Sequence, residues 1–217
     1  MYRLIVIVLI LTGCAAQNSK PIAANDHSLL KGAIVVSTLG DDLHCSFVGL
    51  TVFNNKSKTY ELDANFNQKL SSSMSDQLNS MGMNAAPLSR GDISFIDDDV
   101  RAKRWDNIQF GDFPKSSSNI SSIVILDGKY QYNSTGGYYA RDNALNTSAT
   151  LYVYEFPTGR LIGKAFSQHS TLKKSFSCTQ ETVPDSDHML DLIDESGQAI
   201  LTEVFATLFG AQASHNE

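Results

Sequence analysis

The chain has 217 residues, 42% of them hydrophobic, with 17 basic against 23 acidic residues and a formal charge of −6. A chain of this length makes one large or two small domains, and its apolar content suffices for a folded core rather than a disordered polymer. The acidic balance argues against nucleic-acid binding, which calls for a basic face.

The N-terminus reads MYRLIVIVLILTGCAAQ, with an unbroken aliphatic run from Leu4 to Leu11. A helix needs roughly 20 apolar residues to cross a bilayer, so this run is too short to span one. A short positive start at Arg3, an apolar core and small residues after it fit a secretory signal. The segment Leu11-Thr12-Gly13-Cys14 resembles a bacterial lipobox, which implies cleavage before Cys14 and a lipidated thiol, palmitate among its acyl chains. Residue 15 is alanine and not the aspartate of an inner-membrane retention signal. The expectation is a lipoprotein of the cell outer membrane, anchored by its N-terminal lipid and facing the periplasm. Several acyl chains at about 0.8 kcal/mol per buried methylene hold such a protein firmly.

With Cys14 lipidated, Cys45 and Cys178 are left in an oxidising compartment, where thiols pair. A disulfide between them is expected, the alternative being two separate buried thiols. Residues 14–30 are small, polar and without periodicity, and read as a flexible tether. The folded domain is expected over 31–212, after the signal peptide at 1–13.

Within that domain, AIVVSTLGDDLHCSFVGLTVFNN places two β-rich runs around Gly40-Asp41-Asp42, a hairpin signal. In ELDANFNQKLSSSMSDQLNSMG, the apolar residues Leu62, Phe66, Leu70, Met74, Leu78 and Met81 recur at helical spacing, with Gly82 at the C-cap. A short run follows at 83–88. Residues 89–119 are charged and turn-rich, and contain the one tryptophan, Trp105, and an Arg90-Gly91-Asp92 that reads as a turn. The β signal returns in SSIVILDGKYQY, and Pro157-Thr158-Gly159 predicts a turn joining strands at 148–156 and 161–171. A second helix begins at an acidic cap among Asp185, Ser186 and Asp187. Its apolar side carries Leu190, Ile193, Ile200, Val204 and Leu208, and Gly197 suggests a bend. The predicted class is α+β: one domain, a mostly antiparallel sheet, and two main helices on one face.

Catalytic and metal signatures are weak. There is no G-x-S-x-G and no H-E-x-x-H, and the glycines at 159 and 163 stand one residue too close for a phosphate loop. His188 and Asp191 share a helix face, but two ligands do not make a metal site. Asp97-Asp98-Asp99 lacks the alternating ligands and glycine of a calcium loop. No catalytic residue, metal or cofactor is assigned. Tyrosines are enriched at interfaces, so Tyr130, Tyr132, Tyr138 and Tyr139 are candidates for a contact surface, the alternative being that they cover the sheet.

The stretches FNQKLSSSMSDQLNSMGM, ISFIDDD with GDF, IVILDGKYQY and ALNTSATLYVYEFPTGRLIGKAF, within 66–172, resemble the FlgO domain of outer-membrane lipoproteins around the bacterial flagellum. VGLTVFNN is similar to the opening strand of curli-secretion and penicillin-binding-protein-activator lipoproteins. The resemblance implies an accessory or assembly component of an envelope machine, working through protein partners. An activator of a cell-wall synthase is the second reading. A periplasmic hydrolase is the reading from another class, and homo-oligomerisation stays open.

Overall fold

The computed structural model describes residues 19–40, 42–49, 54–62, 65–88, 108, 119–135, 144–172, 178 and 187–210. A short 3-10 helix at Ala24–Leu30 leads into β1 (Ala33–Ser37), β2 (Asp42–Val48), β3 (Lys56–Glu61), α1 (Phe66–Ser80) and β4 (Ala85–Pro87). Then come β5 (Ser122–Thr135), β6 (Ala144–Glu155), β7 (Leu161–Leu172) and α2 (Asp187–Phe209).

The seven strands form one mixed sheet organised by β5. On one side of β5 lies the long antiparallel meander through β6 to β7, from Ser122 opposite Glu155 to Asn133 opposite Ala144. On the other side two short strands share one lane. β1 runs parallel to the first part of β5, from Ala33 opposite Ser122 to Ser37 opposite Leu126. β2 resumes in the same direction, from Leu43 opposite Tyr130 to Val48 opposite Thr135. β4 lines β1 in parallel and β3 lines β2 in antiparallel fashion, so the outer lane is split in the same way.

The hairpin expected around Gly40 is therefore corrected: β1 and β2 do not pair with each other. Gly40 has φ +123°, a conformation that glycine adopts at little cost. Here it lets the chain step out and rejoin the same lane. The break stays docked on β5, because the Thr38 amide donates to the Leu126 carbonyl at 2.9 Å and its hydroxyl to Asp127 at 2.7 Å.

Alternation along β5 divides the sheet into two faces. Val124, Leu126, Tyr130 and Tyr132 point to the helix side, where Phe66, Leu70, Met74 and Leu78 of α1 meet Ile193, Ile200, Leu201 and Val204 of α2 in one core. Ile123 and Ile125 point the other way and pack with Val36, Ile108, Tyr152, Tyr154 and Leu161. Both helices thus cover one face, and the α+β class holds. α1 starts at Phe66 rather than before Leu62, since Asn65 sits at φ 51°. It ends where expected, with Gly82 at φ +79°. α2 runs unbroken through Gly197. Among the described residues no helix is long and apolar enough to cross a membrane.

The flexible tether expected over 14–30 is corrected for residues 20–30, and with it the domain start at residue 31; residues 14–18 lie outside the described residues. The amide of Lys20 donates to the carbonyl of Lys164 at 2.7 Å, and the Lys164 amide donates back at 2.8 Å. Ile22 and Leu30 are buried in the core. Ser121 donates its hydroxyl to the carbonyls of Leu29 and Lys31. The segment is polar on average, but three aliphatic residues within it, Ile22, Leu29 and Leu30, are enough to fasten it. The folded unit begins by Lys20.

Candidate interaction surface

Two of the three cysteines are joined. Cys45 on β2 and Cys178 form a disulfide with a Cα–Cα distance of 5.6 Å, across a sequence separation of 133. Both are buried, and the Ser134 hydroxyl lies 3.5 Å from the Cys178 sulfur. The bridge ties the split lane of the sheet to the segment ahead of α2. Cys14, where lipidation is expected, lies outside the described residues, as do Tyr138, Tyr139, Trp105, Arg90-Gly91-Asp92 and Asp97-Asp98-Asp99.

Tyr130 and Tyr132 do not form a contact surface. Both are fully buried on the helix side of β5. They continue the phase of Val124 and Leu126 through Gly128, so the pleat that buries the aliphatic residues buries the tyrosines too. The Tyr130 hydroxyl reaches the crossing of the two helices, beside Leu70 and the backbone of Gly197. It has no hydrogen-bond partner among the described residues. Burial pushes its pKa well above the usual phenol range, and the nearby Asp194 carboxylate pushes the same way. Gly197 is glycine because a methyl group there would run into that hydroxyl.

Two hollows indent the polar surface among the described residues. A hollow of about 420 Å³ between the helices is lined by Asn65, Gln68, Lys69, Ser72, Asp194 and Gln198, with the Lys69 ammonium 3.8 Å from Asp194. A second, of about 250 Å³, lies on the face away from α1 and α2 and is lined by Asp127, Gly128, Lys129, Ser148, Thr150 and Phe166. Hydroxyls, amides and single charges line both, and no histidine stands in either to activate a nucleophile. Among the described residues no group of three His, Cys, Asp or Glu side chains is placed to hold a metal ion.

Phe166 is the residue that sequence reasoning passed over. It is 41% exposed, on a strand phase otherwise occupied by Lys164, Gln168 and Ser170. A lone aromatic in a polar alternation was the available signal.

The N-terminal segment is clamped to the β6–β7 turn by charge. Arg160 donates from Nη2 to Asp26 and from Nε to Glu155, each at 2.9 Å, and the Thr158 hydroxyl also donates to Glu155. The hydrogen bonds from Arg160 hold both carboxyls below their ordinary values. In the turn itself, Gly159 has φ +69° and accepts a hydrogen bond from the Ile108 amide at 3.1 Å.

No protein-family model matches the chain, and no curated protein matches it. Among solved structures, protein XCC0632 from Xanthomonas campestris, of family DUF330, is 10% identical with a TM-score of 0.43, over 85% of this chain and 88% of that one. The PelC dodecamer from Paraburkholderia phytofirmans is 10% identical with a TM-score of 0.36, over 88% of this chain and 93% of that one. Lipoprotein GNA1162 from Neisseria meningitidis is 11% identical with a TM-score of 0.36, over 80% and 97%. Likenesses this shallow transfer no function, and the FlgO-domain resemblance rests on its sequence stretches alone.

Proposed function

We propose that this chain is a lipoprotein of the outer membrane that works by contact, as a non-catalytic accessory or assembly component of an envelope machine. The observation that carries the reading is how the cysteines divide. Cys45 and Cys178 are joined in the folded domain, as suits an oxidising compartment. The third, Cys14, follows a signal-like apolar run directly. A cysteine placed there and left out of the bridge is available for lipid. The finer identity is a flagellar component, supported by the stretches shared with the FlgO domain, and it works through protein partners and needs no cofactor.

Two experiments test this in sequence. Cells fed an alkyne-bearing palmitate analogue should label the full-length protein in the outer-membrane fraction, and Cys14→Ala should abolish both label and membrane association. Unlabelled wild-type protein would sink the lipoprotein reading. Crosslinking in intact cells, with identification by mass spectrometry, then asks for the partner. Basal-body ring proteins support the flagellar identity. Cell-wall synthases without flagellar proteins overturn it in favour of a synthase activator.

A further inference from the structure

The lipid reading and the fold together limit how the domain can sit on the membrane. Lipid on Cys14 anchors one end of a stretch whose other end, Lys20, is fastened to β7 through both its backbone hydrogen bonds. The six steps from Cys14 to Lys20 reach at most roughly 22 Å even when fully extended. The far corner of the sheet, where β2 and β3 meet at Phe47 opposite Lys56, lies farther off than that. Lys164 is level with Ile125 of β5, by way of Tyr152, and Val48 with Thr135. The strand between those levels covers roughly 34 Å, and the three lanes from β7 to β2 add roughly 14 Å sideways. The domain cannot turn that corner to the bilayer with the β7 edge pointing away, because the anchor does not reach.

The near side carries the chemistry that a headgroup surface takes. The bridge at Lys20 and Lys164 is antiparallel, so Ser19 leaves Lys20 on the side of Phe166. Phe166 is one of the three large apolar side chains exposed among the described residues, and Lys129 and Asp127 stand with it at the hollow on the face away from α1 and α2. Lys164 is the next residue on the same strand phase. An exposed aromatic flanked by lysines suits the boundary between acyl chains and anionic headgroups. We infer that the edge formed by Lys20 and β7, with Phe166 at its centre, lies against the surface of the membrane that holds the Cys14 lipid, and that the β2–β3 corner projects toward partners. This inference rests on the lipoprotein reading.

The test uses the full-length lipidated protein, reconstituted into vesicles of phosphatidylethanolamine and phosphatidylglycerol that carry a headgroup nitroxide. Phe166→Cys and Lys56→Cys each supply one free thiol for a fluorophore, the other cysteines being lipidated or bridged. Labelled protein is used only where a non-reducing gel shows the Cys45–Cys178 bridge intact, which reports folding. Quenching should be several-fold stronger at 166 than at 56. Equal quenching at both positions, or stronger quenching at 56, would overturn the inference. Mass spectrometry of the same sample separates the two claims. A lipidated Cys14 with equal quenching sinks the orientation alone, whereas an unlipidated Cys14 sinks the function reading and the orientation with it.

Discussion

The two sides of β5 were built by different means. On one side β6 and β7 continue a single meander, each strand antiparallel to the last and joined by a short turn at Pro157-Thr158-Gly159. On the other, four short strands fill two lanes end to end, and β1 and β2 meet β5 in parallel. A meander is a chain of local decisions, since a turn residue and an alternating pattern fix each next pairing. A parallel lane is a long-range one. Its partner strand lies some 90 residues away, and nothing near Gly40 announces that the chain will resume in the same direction. The split side therefore has more to lose from cutting a long-range link, and the meander less.

The Cys45–Cys178 bridge is the strongest such link, and removing it is the largest perturbation available. A loop of this length constrains the unfolded chain by about 4–5 kcal/mol in the chain-entropy account. Cys45→Ser with Cys178→Ser should lower the stability measured in urea by a large part of that amount. Hydrogen exchange should show where the loss falls, with β2 and β3 losing protection ahead of β6 and β7. Uniform loss across these four strands would mean that the two sides fold as one unit and that their difference in construction has no energetic counterpart.

The junction under the helices gives a medium-sized test. Gly197 faces the Tyr130 hydroxyl, and Tyr130 lies on β5 where both sides of the sheet meet. Gly197→Ala should destabilise by about 1–3 kcal/mol, as overpacking does. Tyr130→Phe should be neutral or stabilising by up to about 1 kcal/mol, because a buried hydroxyl without a partner gives up its bonds to water and gains nothing. Combining the two should recover most of the alanine penalty, since the hydroxyl is what the methyl group meets. Plain additivity in thermal unfolding would show that the two residues do not oppose each other.

The same contrast explains how much was legible in the sequence. The β6–β7 hairpin, both helices and the left-handed Gly82 are encoded by neighbours in the chain, and they stand where the pattern placed them except for the start of α1, which Asn65 delays to Phe66. The cysteine pair was legible too, because compartment and count constrain it without any knowledge of the path between. Tyr130 and Tyr132 are candidates for a contact surface only on the general enrichment of tyrosine at interfaces, and it is the alternative, that they cover the sheet, that the structure bears out. Counting the strand phase from Leu126 through Gly128 would have put them inside. Residues 20–30 were read as a tether from average polarity, although three aliphatic residues are enough to hold a segment that also finds a strand edge and an arginine. Their partners on β7 and in the turn lie more than a hundred residues away, beyond the reach of local pattern.

That N-terminal segment offers the smallest effect, and it discriminates by pH. Asp26 belongs to the segment, while Glu155 and Arg160 belong to the meander. Both carboxyls are held below their ordinary values of 3.8 and 4.5 by hydrogen bonds from Arg160. A group whose pKa is lower when folded contributes stability in full above its unfolded value, and loses it as the pH falls through the folded value. The clamp is therefore complete at neutral pH and weakens below about pH 4, where the carboxyls take up protons. The groups are near the surface, so salt should weaken the clamp as well. Hydrogen exchange over residues 20–30, corrected for the intrinsic rate, should rise on acidification before β5–β7 respond. Arg160→Gln should raise it already at neutral pH and flatten its dependence on acid. If the segment instead stays as protected in acid as at pH 7, then Ile22, Leu30 and the pairing of Lys20 with Lys164 hold it unaided, and the charges only decorate a join made by burial.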